Sequence, residues 1–308
     1  MLNKIIQGVG VGFFLLALFL VHQELIRVGG DHILHLLRGV PFHVVGSALA
    51  LTVLDFCFLA GYDALSLKHL NKHLNPLKIF AVAGLGFAVS NTTGHAYLAG
   101  GSLRYMFYRT QLSRIEILKL IALDSLTFLL GVTVAFIGTV CLLPTQGVHL
   151  PPLWQHLMIG ISLFLLVVLN GYFWGIVRPK RTFKIGSVLI KAPSVLLTCA
   201  QVCMGLGDVF CTFLVFYVIL SGLLPVPFFS LMGMFILAWV LGLVSQIPGG
   251  LGVFEGTFLY LFSSLSSQSG EVLTALLIFR ILYYFVPFLL ATCLLVGGWG
   301  IKKLFCKI

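Results

Sequence analysis

Nine apolar runs succeed one another along this chain, at about 8–26, 43–66, 77–100, 117–143, 153–177, 199–222, 228–247, 251–265 and 271–300. A helix needs roughly 20 predominantly apolar residues to cross the hydrocarbon of a bilayer, so this succession restricts the chain to a bundle of membrane helices. Charge agrees: 9% of the 308 residues are charged and 59% are apolar, where a soluble domain carries about 25% charged residues. An ordinary globular enzyme, a disordered chain and a nucleic-acid module are excluded. The formal net charge of +10 does not point to nucleic acid, because the basic residues fall in short clusters between apolar runs, as membrane topology requires. No stretch is left over for a soluble domain of the usual 50–200 residues or so.

Two regions are interrupted. Residues 79–111 are interrupted by Ser90-Asn91-Thr92-Thr93-Gly94-His95, and residues 228–268 by Ser245-Gln246-Ile247-Pro248-Gly249-Gly250. The flanking pieces are short for full spans. They suit re-entrant hairpins, two half-helices meeting at a polar tip. A shift of 155 residues superposes the two regions without a gap, matching Phe80 with Phe235, Ala83 with Ala238, Ser90 with Ser245, Gly94 with Gly249, Gly101 with Gly256 and Tyr105 with Tyr260. The excess over composition is small, but the matches fall on the interruptions. Halves of about 1–143 and 153–300 follow, within a single transmembrane domain covering 1–308.

The basic residues orient the chain. With the N-terminus in the cytoplasm and both hairpins returning to their side of origin, 16 Lys and Arg lie on the cytoplasmic side, two (Arg27, Arg38) lie outside and Arg280 is intramembrane. This satisfies the positive-inside rule. It sends one hairpin in from each side, so the halves are inverted, an architecture recurrent among transporters. The expected fold is an all-α polytopic membrane protein with about six full transmembrane helices and two re-entrant helical hairpins in two inverted repeats. Met1–Val21 contains Lys4 and an apolar run but no small-x-small cleavage site; it is expected to be a retained first helix. Both termini are expected in the cytoplasm.

Candidate functional residues follow from the cost of polarity in hydrocarbon. The tips, with Ser90, Asn91, Gly94 and His95 in one and Ser245, Pro248, Gly249, Gly250 and Gly252 in the other, expose backbone that must be buried in protein or line a wet cavity. The second half-helix of each hairpin would point its N-terminus inward, where it can hold an anion; the alternative is a structural kink. Asp55, Asp124, Asp208, Glu255 and Arg280 lie inside apolar runs, each costing about 2.5–3.5 kcal/mol at a helix centre on insertion scales. Asp124 or Glu255 is expected to pair with Arg280, either as a structural ion pair or in substrate binding or proton coupling. Gly100, Gly101, Arg104, Tyr105 and Arg109 form a basic, aromatic stretch suited to phosphates near the inner leaflet, or to a positive-inside anchor. The seven cysteines read as free thiols. His69 and His73 lack further ligands, so no metal site is expected. Walker A and G-x-S-x-G motifs are absent, and no cofactor is expected.

At Ile247-Pro248-Gly249-Gly250-Leu251-Gly252-Val253-Phe254-Glu255 the sequence resembles the lysylphosphatidylglycerol synthase/flippase transmembrane family. Gly100-Gly101-Ser102-Leu103-Arg104-Tyr105 and Leu277–Pro287, with Arg280, Tyr283 and Tyr284, agree in the expected order. The resemblance covers nearly the whole chain and implies a bacterial inner-membrane protein handling phospholipids. It is to stand-alone members, because no stretch reads as the cytoplasmic synthase domain, so aminoacyl transfer is not carried over. It places lipid translocation on Arg104, Pro248, Gly249, Gly250, Gly252, Glu255, Arg280 and Tyr284. The expected activity is that of a non-enzymatic phospholipid translocase with a midplane cavity. The rival readings are a scaffold for a lipid-modifying enzyme, a carrier of another anion of polyprenyl-phosphate type, and an intramembrane enzyme acting on lipid headgroups. Expected partners are membrane phospholipids, with a lipid-modifying enzyme or a second copy of the chain as further candidates, and no nucleic acid.

Overall fold

The computed structural model describes residues 40–93, 96–142, 152–177, 182–185, 188–245, 247–263 and 269–297. Their order is α1 (Phe42–His69), α2 (Pro76–Thr93), α3 (Ala96–Tyr108), α4 (Arg114–Leu142), α5 (Pro152–Val177), β1 (Thr182–Ile185), β2 (Val188–Lys191), α6 (Val195–Ser221), α7 (Phe228–Val244), a 3-10 turn (Pro248–Gly250), α8 (Val253–Phe262), α9 (Ser269–Phe279), a π-helical turn (Arg280–Phe285) and α10 (Val286–Gly297). The expected first helix lies outside the described residues, as do Gly94 and His95.

Helix starts are written locally. Pro76 and Pro152 open their helices, and Pro41 and Pro227 stand just before theirs, where a missing N–H costs nothing. Ser113 and Glu116 form a reciprocal cap on α4: the Ser113 N–H donates to Glu116 Oε2 at 2.8 Å and the Glu116 N–H to Ser113 Oγ at 3.3 Å. Ser194 Oγ accepts from the Leu197 N–H at the start of α6.

Five described stretches are long and apolar enough to cross a membrane: Phe42–His69, Arg114–Val140, Gln155–Gly175, Val195–Ser221 and Gly270–Leu294. The shorter α3 and α8, of 13 and 10 residues, reach only about half to two-thirds of a hydrocarbon thickness of roughly 30 Å. Each packs on its neighbour, α3 on α2 and α8 on α7. The elements also recur at the shift of 155. The 29-residue α4 maps onto Ser269–Gly297, and α1, α2 and α3 map to within about four residues of the ends of α6, α7 and α8.

The structure departs from the sequence reading twice. The basic loop after α5 carries an antiparallel pair of strands, with Thr182 opposite Lys191 and Ile185 opposite Val188. The last apolar run is not one regular helix. Pro287 has no N–H to give the Tyr283 carbonyl, and its ring would clash there. The helix widens instead, and the Val286 N–H reaches back five residues to the Ile281 carbonyl.

The long helices meet at the centre, α1 against α6 and α6 against α4. The α4–α6 crossing rests on two glycines: a Cβ on Gly131 would lie 2.3 Å from the Gly205 carbonyl carbon. Such backbone contact is how helices pack tightly where no hydrophobic force drives them together. Gly205→Leu is therefore expected to lower stability by at least about 1–3 kcal/mol, the range for overpacking. Gly138→Leu, which meets nothing within 4 Å, should be neutral. Thermal unfolding of both in detergent checks this. The second half is further tied by aromatic rings, with Phe216 touching Phe235, Phe254, Phe258 and Phe279 at centroid separations of 4.9–6.4 Å.

Candidate functional site: a cavity between the hairpins

The two hairpins and the long helices enclose a cavity of about 550 Å³. Its wall takes Ser90 from α2, Gly101 and Arg104 from α3, Asp124 from α4, Tyr62 from α1 and Asp208 from α6. The second tip adds Gly249 and Gly250, and the π-helical turn adds Tyr284. Apart from Ser125 the rest is apolar, including Phe87, Phe128, Val132, Trp239, Leu243 and Phe254. Three polar clusters border it.

The first is built on Arg104. Its Nε and Nη2 donate to Asp63 Oδ1 at 3.0 and 2.7 Å, and its Nε lies 3.2 Å from Asp124 Oδ2. Tyr108, one turn on, donates from its hydroxyl to Asp63 Oδ2 at 2.8 Å. Ser66 Oγ donates to Asp124 Oδ1 at 2.7 Å. One guanidinium thus serves two carboxylates, with Asp63 wholly buried behind it and Asp124 facing the cavity.

The second holds the tip after α7. Arg280 Nε donates to Glu255 Oε1, its Nη1 donates to the Gly249 carbonyl at 3.1 Å, and its guanidinium sits 5.8 Å from the centre of the Tyr284 ring. Glu255 Oε2 in turn accepts from the Gly252 N–H at 2.8 Å. The π-helical turn delivers Arg280, and α8 delivers Glu255. The tip can reverse so tightly because Gly249, Gly250 and Gly252 have φ of 59°, 62° and 83°, in the left-handed region that a Cβ disfavours. At Gly250 a Cβ would also stand 3.2 Å from Gly242 Cα. Gly250→Ala is expected to cost about 1–2 kcal/mol from conformation alone, plus the displacement of α7. Thermal unfolding and hydrogen exchange at the tip measure both effects.

The third lies where α1 meets α6. The Tyr62 hydroxyl donates to Asp208 Oδ2 at 2.6 Å, and the Tyr283 hydroxyl donates to Asp55 Oδ2 at 2.8 Å. Thr212 Oγ1 is 2.8 Å from the Tyr283 hydroxyl. Asp55 and Asp208 themselves touch, and both are buried.

The geometry sorts the residues named from sequence. Arg104, Asp124, Ser90, Gly101, Gly249, Gly250, Asp208 and Tyr284 meet at the cavity, with Glu255 and Arg280 directly behind the tip. Gly100 packs against Ser90, whose Oγ would be 2.4 Å from an added Cβ. Ser245 closes the end of α7, its Oγ donating to the Gly242 carbonyl at 2.7 Å. Tyr105 and Arg109 lie exposed, away from the cavity. Arg280 pairs with Glu255, whereas Asp124 pairs with Arg104. Gly94 and His95, and the side chains of Asn91 and Pro248, are outside what is described. The sequence reading missed Asp63, the strongest partner of Arg104, although it sits in the same apolar run as Asp55. It also missed Tyr62, Tyr108 and Ser66, since lone hydroxyls in an apolar run are ordinary. Among the described residues no group of three or more His, Cys, Asp or Glu is placed to hold a metal ion.

The model of the lysylphosphatidylglycerol synthase transmembrane region matches residues 5–291. The chain belongs to this family. It is a membrane-embedded, multi-pass protein. It is 31% identical to the Synechocystis protein slr0712 over 285 residues, 91% of this chain and 87% of that one. It is 26% identical to the inner membrane protein YbhN of Escherichia coli over 302 residues, 96% and 93% of the two chains. The phosphatidylglycerol lysyltransferase of Bacillus subtilis is 25% identical over 285 residues, 89% of this chain and 32% of that enzyme. The likeness thus spans this chain almost end to end but only a third of the lysyltransferase.

Proposed function

We propose that this protein moves phospholipids across a bacterial inner membrane, taking the headgroup into the cavity while the acyl chains stay in the bilayer. The observation that carries the reading is one cavity shared by both hairpins, with an arginine, two carboxylates, a few hydroxyls and a glycine tip on a wall that is mostly apolar. Polar groups at membrane depth mark a pathway by default, and the apolar remainder suits the glycerol and upper chain of a lipid. Family membership and the printed names of the relatives point the same way: one is an inner membrane protein and another a lysyltransferase for phosphatidylglycerol.

In this reading Arg104 stays on Asp63 and exchanges its longer contact, Asp124 at 3.2 Å, for the lipid phosphate. Arg280 holds the tip in shape through Glu255 and Gly249. The two halves are inverted, with both termini in the cytoplasm, and rock about α1 and α6.

The test is reconstitution of the full chain into liposomes containing fluorescent phospholipids of differing headgroup, with dithionite added outside. Faster bleaching of the inner leaflet than in protein-free vesicles supports the reading and ranks the headgroups. Folded protein that accelerates none of them contradicts it, and binding of a polyprenyl phosphate by that protein would turn the reading toward a carrier of another anion.

A further inference from the structure

Asp55 on α1 and Asp208 on α6 sit at the crossing of the two helices that the 155-residue shift relates. The two residues are 0% and 2% exposed, and their carboxyl groups interact directly. Each has one tyrosine hydroxyl, Tyr283 on Asp55 and Tyr62 on Asp208, and the second oxygen of Asp55, Oδ1, has no donor among the described residues. The groups around the pair are Tyr62 and Cys57 of α1, Thr212 and Cys211 of α6, and Tyr283 and Tyr284 of the π-helical turn, with Asp124 of α4 beyond Tyr62. None is a cation. The two nearby arginines are engaged elsewhere, Arg104 by Asp63 and Asp124 and Arg280 by Glu255.

Two carboxylates in contact, without a cation or a donor between them, repel each other in a medium that screens poorly. A single proton removes the repulsion and supplies the donor that Asp55 Oδ1 lacks. Tyr62 to Asp208 at 2.6 Å, Tyr283 to Asp55 at 2.8 Å and Tyr283 to Thr212 at 2.8 Å are hydrogen-bond lengths, and among the described residues no third His, Cys, Asp or Glu joins the pair to hold a metal ion. Asp208 and Tyr62 line the cavity, whereas Asp55 lies behind them. A proton on the pair therefore has a way out, through Asp208, to the chamber that receives the substrate.

We propose that Asp55 and Asp208 form a proton-binding site, one proton shared between two carboxyl groups at the axis of the molecule and exchanged through Asp208 with the cavity. On the translocase reading this site links lipid movement to a proton gradient: a proton entering with or against the lipid neutralises the pair, and its loss recharges the wall beside Arg104.

The experiment uses the full chain in lipid nanodiscs and in proteoliposomes. Infrared difference spectroscopy between acid and alkaline buffer is expected to show one protonated carboxyl that titrates. The signal should vanish in Asp55→Asn and in Asp208→Asn, and persist in Glu116→Gln at the exposed ion pair with Lys72. Absence of the signal in the wild type, its survival in both Asn variants, or its dependence on sodium instead of pH overturns the site. In proteoliposomes an imposed pH gradient should bias the leaflet distribution of labelled lipid in the wild type, and the bias should be lost in Asp208→Asn. A titrating pair in protein whose lipid movement ignores the gradient overturns the coupling. A titrating pair in protein that moves no lipid leaves the proton site standing and removes the translocase reading.

Discussion

Glu255→Ala is expected to be the most damaging single substitution in the chain, costing about 3–5 kcal/mol, the range for breaking a buried pair from one side. The side chains of Glu255 and Arg280 are 10% and 5% exposed. Removing the carboxylate strands a guanidinium whose Nη2 already lacks a partner among the described residues, and frees the Gly252 N–H that Glu255 Oε2 accepts. Three conformationally costly glycines then lose the side chains that hold them, so α8 should dock poorly on α7. The paired replacement Glu255→Leu with Arg280→Met removes both charges and should recover most of the loss, since buried ion pairs are often matched by apolar residues of similar size. The recovered protein should still fail to move lipid, because the Gly249 carbonyl has lost its donor. Thermal unfolding in detergent, followed by the liposome assay on the paired variant, separates stability from function. A paired variant with wild-type transport would assign Arg280 a structural role only.

Arg104→Leu is the second. Here one substitution leaves two buried carboxylates facing each other, Asp63 at 0% and Asp124 at 8% side-chain exposure. The expected loss is again about 3–5 kcal/mol. Adding Asp63→Asn should return a large part of it, because Tyr108 can still donate to the amide oxygen and only Asp124 remains charged. If Asp63→Asn alone proves as harmful as Arg104→Leu, the tyrosine–carboxylate contact and not the ion pair organises α1 against α3. Both variants are measured by the same unfolding assay, with headgroup binding as the second readout.

Much of this architecture could be read without coordinates, for a physical reason. Hydrocarbon imposes length and apolarity on every crossing, so spans and interruptions show directly in the order of residues. The tip at Ser245–Gly250 was legible because Pro and consecutive glycines have few uses inside an apolar run. Glu255 and Arg280 were legible because charge there is expensive. Pairing was less so. Asp124 or Glu255 was expected to pair with Arg280; Glu255 does, whereas Asp124 binds Arg104, since partners are chosen by how α1, α3 and α4 cross and not by spacing along the chain. Asp63 was passed over although it carries the same signal as Asp55, eight residues away on the same helix. The π-helical turn was hidden because Pro287 shows that a helix must adjust but not how. The strands after α5 had no signal beyond a few β-branched residues among lysines.

The account rests on lipid passing through the cavity between the hairpins, and one measurement bears on that most directly. Val132 projects from α4 into the cavity wall, and Val132→Trp fills the chamber without touching an ion pair. Dithionite bleaching of headgroup-labelled phospholipid is measured in liposomes holding the wild type or this variant, each shown to be folded by its elution profile. The account predicts accelerated loss of the inner-leaflet signal with the wild type and a return to the protein-free rate with Val132→Trp. Equal acceleration by both would mean that lipid crosses elsewhere and would contradict it.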